Sequence, residues 1–215
     1  MKQRNTEHPI LFSGPMVRAI LEGRKTQTRR VVKPQPKNDI DTAAFYAGQK
    51  LLALKQYKKI SVNEYKEAGS FKATYQPGDT LWVRESFCEP NPGEYLYQAD
   101  HERGSEMDCI AAGLALEGVR WRPSIHMPRW ASRIALLVED VRVERLRDIS
   151  EEDAVAEGFV GTPDCGQRTD GVQRPTSAVL AFSKLWNSLN AARGLGWDAN
   201  PLVFVNKFSV KEVRK

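Results

Sequence analysis

The sequence predicts an α+β fold in which a small mixed β-barrel is decorated with helices. Three observations carry that expectation. Segments rich in β-branched and aromatic residues dominate the chain, the longest spanning 133–146. Helical periodicity is confined to a few short stretches. Strand and helix signals do not alternate regularly, as they would in a parallel sheet built from strand–helix–strand units.

The elements follow in chain order. Residues 13–23 read as a short helix: Pro15 suits the first helical position, and Met16, Val17, Ile20 and Leu21 form an apolar stripe. Gly23 suits the left-handed residue that ends it. Residues 26–32 read as a strand, stopped by Pro34 and Pro36. The stretch 37–73 reads as an insertion with a helix over 42–58, placed by Phe45, Leu51, Leu52 and Leu54. The turn Gln76-Pro77-Gly78-Asp79 delivers the chain into a strand over 80–87. A second insertion covers about 88–120, with a short strand at 94–99 and a loop over 100–118.

In the long strand 133–146, Ile134, Leu136 and Val138 alternate with Ala135 and Leu137, so both faces are expected to be covered. Ser150, with Asp153 three residues on, opens a short helix that ends at Gly158. After a loop over 160–175, Thr176 caps a stronger helix. It carries Val179, Phe182, Leu185, Trp186 and Leu189 on one face and is closed by Gly194. The last strand is 202–210. No internal repeat is present, and a single domain over 1–215 is expected.

Composition limits the function classes. Hydrophobic residues make up 41% of the chain and charged residues 27%, ordinary values for a soluble domain. No apolar run reaches the ~20 residues of a membrane span. No apolar leader core follows the N-terminal residues, and the three cysteines, Cys88, Cys109 and Cys165, are scattered. Free thiols in a reducing compartment, hence a cytoplasmic location, are expected. The phosphate-cradling GxxxxGK loop and the GxSxG, HExxH and CxxC patterns are all missing, and there are only three histidines. No metal and no cofactor is expected.

The net charge of +5 permits a phosphate-bearing partner without requiring one. Its distribution says more. Arg24, Lys25, Arg29, Arg30 and Lys33 fall within ten residues that hold no acid. A second basic stretch runs through Arg120, Arg122, Arg129 and Arg133, readable as a solvated face or as a ligand surface.

Lys25 and Thr28 follow the helix-ending Gly23 closely. A charged lysine there stabilises an anion. A neutral one, after burial, can accept the threonine proton and make a nucleophile. A surface lysine beside a strand threonine is the plain alternative. Residues three apart on a strand point to opposite faces, so the two converge only if Lys25 lies in the turn before the strand starts.

The passage Gly23-Arg24-Lys25-Thr26-Gln27-Thr28-Arg29-Arg30 after a helix resembles the signature of ASCH domains, relatives of the PUA fold. Gly78-Asp79-Thr80-Leu81, the helix from Ile149 to Glu157-Gly158 and the final strand match in the same order. Leu81-Trp82-Val83-Arg84-Glu85 and Ile125-His126-Met127-Pro128 resemble the longer members found in phages and prophages, which would act in the bacterial host cytoplasm. Smaller members are similar to N4-acetylcytidine amidohydrolases. Their functional Lys, Thr and Glu fall on Lys25, Thr28 and Glu157, and their arginine falls on Arg30. Positions 27 and 29, here Gln and Arg, are often apolar in the smaller relatives.

The resemblance implies amide hydrolysis of an acylated pyrimidine nucleoside. Lys25 takes the proton of Thr28, whose oxygen attacks the acetyl carbonyl, and Glu157 protonates the leaving nitrogen or positions water. Arg24, Arg29, Arg30, Arg84, Glu85, His126 and Trp130 are the expected substrate-binding residues. Trp82, Trp121 and Trp130 suit either base stacking or the core. His126 suits the pocket or a structural hydrogen bond, and Arg84-Glu85 a substrate contact or a buried ion pair. The alternatives are a non-catalytic RNA- or DNA-binding PUA-like module, with phosphate gripped by the Lys25–Arg30 cluster, and a ribonuclease.

Overall fold

The computed structural model describes residues 6–33, 35, 45–47, 50–52, 71–100, 120–160 and 177–214. In chain order these form β1 (Glu7–Leu11), α1 (Gly14–Leu21), β2 (Gln27–Val31), β3 (Phe45–Ala47), β4 (Lys50–Leu52), β5 (Phe71–Lys72), β6 (Thr80–Arg84), β7 (Phe87–Cys88), β8 (Leu96–Tyr97), β9 (Ile134–Arg145), α2 (Glu151–Ala156), α3 (Ala178–Asn190) and β10 (Leu202–Val213). The class is α+β with a core that is mostly sheet. Five strands make the main sheet in the order β1-β6-β9-β10-β2. That order has two ends, β1 and β2, so among the described residues the expected barrel is not closed. No described helix is long and apolar enough to cross a membrane.

The chain divides into two compact units. The first comprises Met1–Arg24, Gly78–Leu137 and Ser209–Lys215; the second comprises Lys25–Pro77 and Val138–Phe208.

In the first unit, β1 lies parallel to β6, with Glu7 opposite Thr80 and Leu11 opposite Arg84. The sequence reading gave no strand here because Pro9 interrupts a short run with few β-formers. Proline is tolerated because β1 is an edge strand, where a missing N–H leaves no ladder bond broken. β6 pairs antiparallel with the start of β9, Leu81 opposite Leu136. Pro15 does sit in the first turn of α1, and Val17, Ala19 and Ile20 are its buried residues. A smaller apolar cluster, Phe87, Met127 and Ala131, is flanked by Tyr95 and Tyr97.

In the second unit, β2 pairs antiparallel with β10: Thr28 faces Asn206, Arg29 faces Val205 and Arg30 faces Phe204. β3 pairs antiparallel with β4 and parallel with β5, which corrects the helix expected over 42–58. The adjacent aromatics Phe45 and Tyr46 favour a strand, and Gly48 weakens a helix by about 1 kcal/mol. The remainder of that span lies outside the described residues, as do nearly all of the loops expected over 100–118 and 160–175.

The helices of this unit cover one face of the sheet. Leu146, Ile149, Ala154, Ala178, Phe182, Trp186, Val203 and Val205 form its core, with Val31 packed against it. Truncating an aromatic such as Phe182 or Trp186 to alanine costs about 3–5 kcal/mol in such a setting. α3 is capped by Ser177, one residue later than expected, its hydroxyl accepting from Leu180 N at 3.1 Å. Its buried positions are Ala178, Phe182, Ser183, Trp186 and Asn190. Leu189, placed on that face by the sequence reading, is 56% exposed. Asn190 takes the inward position because its side-chain amide donates to Trp186 O at 3.1 Å.

Candidate functional site

The site grows from three local features of the second unit. The first is the end of α2. Ser150 caps the helix start by accepting from Asp153 N at 3.1 Å. Glu157 is the C-cap residue, and Gly158 follows at φ 96°, a conformation that favours glycine. Gly158 N donates to Val155 O and Phe159 N to Ala154 O, the paired bonds of a Schellman ending. This ending fixes the backbone from which Glu157 projects.

The second feature is the approach to β2. Lys25 lies before the strand, and its backbone forms an isolated antiparallel bridge with Glu157. Thr26 N donates to Ala156 O at 2.8 Å. Lys25 therefore lies in the approach to β2, before the strand starts. The residue is 1% exposed. Nζ donates to Gln27 O, Glu157 O and Glu157 Oε2, each at 2.8 Å, so the three protons of an ammonium all have acceptors. Burial pushes the amine below the ordinary lysine value. The Glu157 carboxylate opposes that shift, while Arg30 and Arg29 add to it.

The third feature is the alternation of β2. Gln27, Arg29 and Val31 share one face, and Thr28 and Arg30 the other. Val31 packs in the core beneath the helices, so Arg29 faces the same way. Its guanidinium donates to Glu144 Oε1 at 3.0 Å, to Asp153 Oδ2 at 2.8 Å and to Glu157 Oε1 at 3.2 Å. Arg142 holds Glu144 at 3.1 Å and Asp153 at 2.9 Å. Burial raises the Asp153 carboxyl, but hydrogen bonding from Gln27 and the charges of Arg29 and Arg142 outweigh it and hold the group below its ordinary value.

Thr28 is 2% exposed, and Asn206 opposite it donates from its side-chain amide to Thr28 O at 3.3 Å. Arg30 is half-buried on the same face. Burial lowers its guanidinium from the ordinary value, and Tyr75 and Glu157 oppose that shift. Burial likewise raises the Tyr75 hydroxyl, tempered by Arg30.

Lys25, Arg29 and Glu157 are thus joined by direct ion pairs, and Thr28 and Arg30 belong to the strand that carries Arg29. The other expected residues belong to the first unit and have their own settings. Arg24 is exposed and its Nε donates to Glu22 Oε2 at 2.7 Å. Glu85 is buried and paired with Arg133 at 2.9 Å, not with Arg84 beside it. Neighbours in extended backbone point opposite ways, so the adjacent pair could not close. Arg84 instead stacks over Trp82 at 5.4 Å and donates to Ile125 O. Its Nε is buried without a hydrogen-bond partner among the described residues. His126 is exposed on the turn Ser124–His126. Trp130 is 63% exposed, with Tyr95 5.3 Å from its ring.

The second basic stretch has no common role. Arg133 bridges Glu85 and Asp100, Arg129 pairs with Glu7 at 2.8 Å, and Arg120 and Arg122 are exposed. Sequence reasoning missed Glu144, Asp153, Arg142, Asn206 and Tyr75. A signal existed for Asp153: it precedes Glu157 by four residues, one helical turn on the same face.

No family model matches the sequence, and no curated relative does. A crystal structure of a protein from Enterococcus faecalis V583, described as DUF984, is similar with a TM-score of 0.38 and 11% identity. The match covers 91% of this chain and 66% of that one, just under two thirds of its length.

Proposed function

We propose that the protein is a hydrolase that removes an acyl group from a modified pyrimidine nucleoside of the N4-acetylcytidine kind, on an ASCH, PUA-like fold, in a bacterial cytoplasm. The observation that carries the reading is the buried Lys25–Glu157 pair at 2.8 Å, beside the strand that bears Thr28. A lysine kept out of water and pushed toward its neutral form is the kind of base that activates a hydroxyl.

The steps balance as acyl transfer. The neutral amine has two N–H groups and a lone pair, so one of the three Nζ contacts opens as Lys25 takes the Thr28 hydroxyl proton. The Thr28 oxygen attacks the acetyl carbon, and the tetrahedral intermediate expels the cytosine nitrogen, which receives the proton now on Lys25. Water then attacks acetyl-Thr28 and releases acetate. Both Glu157 oxygens are engaged by cations, Oε2 by Lys25 and Oε1 by Arg29. That arrangement suits orienting Lys25 and the water better than donating a proton.

The binding-module alternative loses support from the same burial. Gripping phosphate asks for cations that reach solvent, whereas the Lys25 and Arg29 side chains are enclosed and already paired. The test is incubation with N4-acetylcytidine, with cytidine followed by chromatography, for the parent protein and for Lys25→Met, Thr28→Val and Glu157→Gln. Turnover lost in all three folded variants is the expected result. Absence of turnover by the parent, with RNA binding that weakens steeply with salt, would overturn the reading in favour of a nucleic-acid module.

A further inference from the structure

We propose that Asn206 is a specificity-determining residue of this site: its side-chain carbonyl accepts the exocyclic N–H of a cytosine-type base, beside the Thr28 hydroxyl. Where the scissile bond lies rests on the hydrolase reading above; the selectivity of the acceptor does not.

Asn206 belongs to β10 and stands directly opposite Thr28 of β2. Opposed residues of an antiparallel pair project from the same face, with Cβ atoms about 4.5–5.5 Å apart. Asn206 therefore shares the face of Thr28 and Arg30, away from Val31, Val203 and Val205, which pack beneath the helices. Asn206 and Thr28 are each only 2% exposed. Asparagine is a poor strand residue, and β10 is an interior strand whose neighbouring positions 202–205 and 208 are buried and apolar. Neither strand propensity nor apolar packing accounts for an amide at this point.

The orientation of the amide is fixed by its neighbours. Nδ2 donates to Thr28 O at 3.3 Å and to Phe204 O at 3.5 Å. Both partners are carbonyls, so exchanging the amide nitrogen and oxygen would set oxygen against oxygen. Oδ1 is thereby turned away from those two carbonyls, and among the described residues nothing donates to it. Thr28 Oγ1 likewise makes no hydrogen bond among the described residues. An enclosed acceptor left unused costs about 1–3 kcal/mol, which a ligand donor removes.

The chemistry of the substrate says which donor that is. The acyl carbon attacked by Thr28 is bonded to the scissile nitrogen, so that nitrogen lies within reach of the residue opposite Thr28. In an N4-acylated cytosine it carries one hydrogen, whereas ring N3 and O2 are acceptors that gain nothing from Oδ1. An ester has no hydrogen at that atom. When the nitrogen leaves and gains a proton it becomes the amino group of the product, and the hydrogen bond to Oδ1 persists.

The experiment measures binding by calorimetry for cytidine and for pyrimidin-2-one riboside, which is cytidine without its exocyclic amine. The parent protein is expected to bind cytidine about tenfold more tightly. Asn206→Leu, similar in volume but without an acceptor, is expected to bring the two ligands within a factor of about two. A merely structural Asn206 would weaken both alike and leave their ratio standing. Should Asn206→Leu fail to fold, the parent carries the test by NMR: its Asn206 carboxamide resonances are expected to shift with cytidine and to stay in place with the analogue. Failure of cytidine to bind, equal affinities in the parent, an unchanged ratio in Asn206→Leu, or carboxamide resonances indifferent to cytidine overturns the proposal.

None of these readouts needs turnover. A parent that prefers cytidine in this way but leaves N4-acetylcytidine intact defeats the hydrolase reading alone. Turnover without the preference defeats the role of Asn206 alone.

Discussion

The two units each enclose a glutamate paired with a cation, and the choice of cation separates them. In the first unit Arg133 bridges Glu85 at 2.9 Å and Asp100 at 2.7 Å, and its guanidinium lies 4.0 Å from the Tyr97 ring centroid. Burial works against the charge on Arg133, but the hydrogen bonds and charges of the two acids prevail and hold it above its ordinary value. In the second unit Glu157 is shared between Arg29 and a lysine, and burial moves that lysine the other way. An arginine bridge is a clamp because it cannot yield a proton at any working pH. A lysine in the same position can, and so can take part in proton transfer. The two clusters differ less in geometry than in what can leave them.

The sharpest way to break this comparison is kinetic. Thr28→Val is expected to abolish N4-acetylcytidine turnover, by at least about 10³-fold. Arg133→Met is expected to leave turnover per folded molecule within a factor of about two, since none of the residues in its cluster takes part in the proposed steps. Equal losses in both would collapse the distinction.

Next comes stability, read from chemical denaturation. Arg133→Met strands the enclosed Glu85 carboxylate and is expected to cost about 3–5 kcal/mol.

The pH dependence of unfolding sharpens the contrast through its sign. Burial raises Glu85 above its ordinary 4.5, with Arg133 opposing, so the folded chain binds more protons there than the unfolded one. Its contribution to stability falls as pH rises from about 4.5 through the raised value. Lys25 is lowered from 10.5, so between its lowered value and 10.5 the folded chain binds fewer protons. Its contribution rises with pH across that window. Glu85→Gln and Lys25→Met are therefore expected to remove slopes of opposite sign in ΔG of unfolding against pH. Slopes of the same sign would refute the assignment.

The smallest effect is local. Gly158→Ala forces a Cβ into the left-handed conformation behind Glu157 and is expected to cost about 1–2 kcal/mol.

Much of this was legible in the sequence, and the exceptions have physical causes. Gly23, Pro15, Ser150 and Gly158 mark helix boundaries because each has a backbone requirement few other residues meet. The long β9 and β10 announce themselves by β-branched content. β1 was hidden because its stability comes from pairing with β6, 73 residues away in sequence, and not from its own composition. The helix placed over 42–58 mistook a handful of apolar residues for a period.

At the site, the helix-Gly-Arg-Lys-Thr passage pointed to Lys25 and Thr28, and the end of α2 to Glu157. Arg29 was read as a substrate-binding residue, although the alternation that places Val31 in the core places Arg29 beside it. Glu144 and Arg142 share a face of β9, but nothing in a sequence says which strand they will lie near.

Thr26 has a role beyond that of a spacer. Its N–H is bonded to Ala156 O, and its carbonyl accepts from Phe208 N, both at 2.8 Å. One residue therefore stitches the tail of α2 to β10 through the main chain, on either side of the Lys25 contact. Local opening of this corner to bulk solvent is expected to part both stitches together. The amides of Thr26 and Phe208 are accordingly expected to exchange with deuterium at a common, slow rate, making the pair a built-in clock for how often this corner of the molecule breathes.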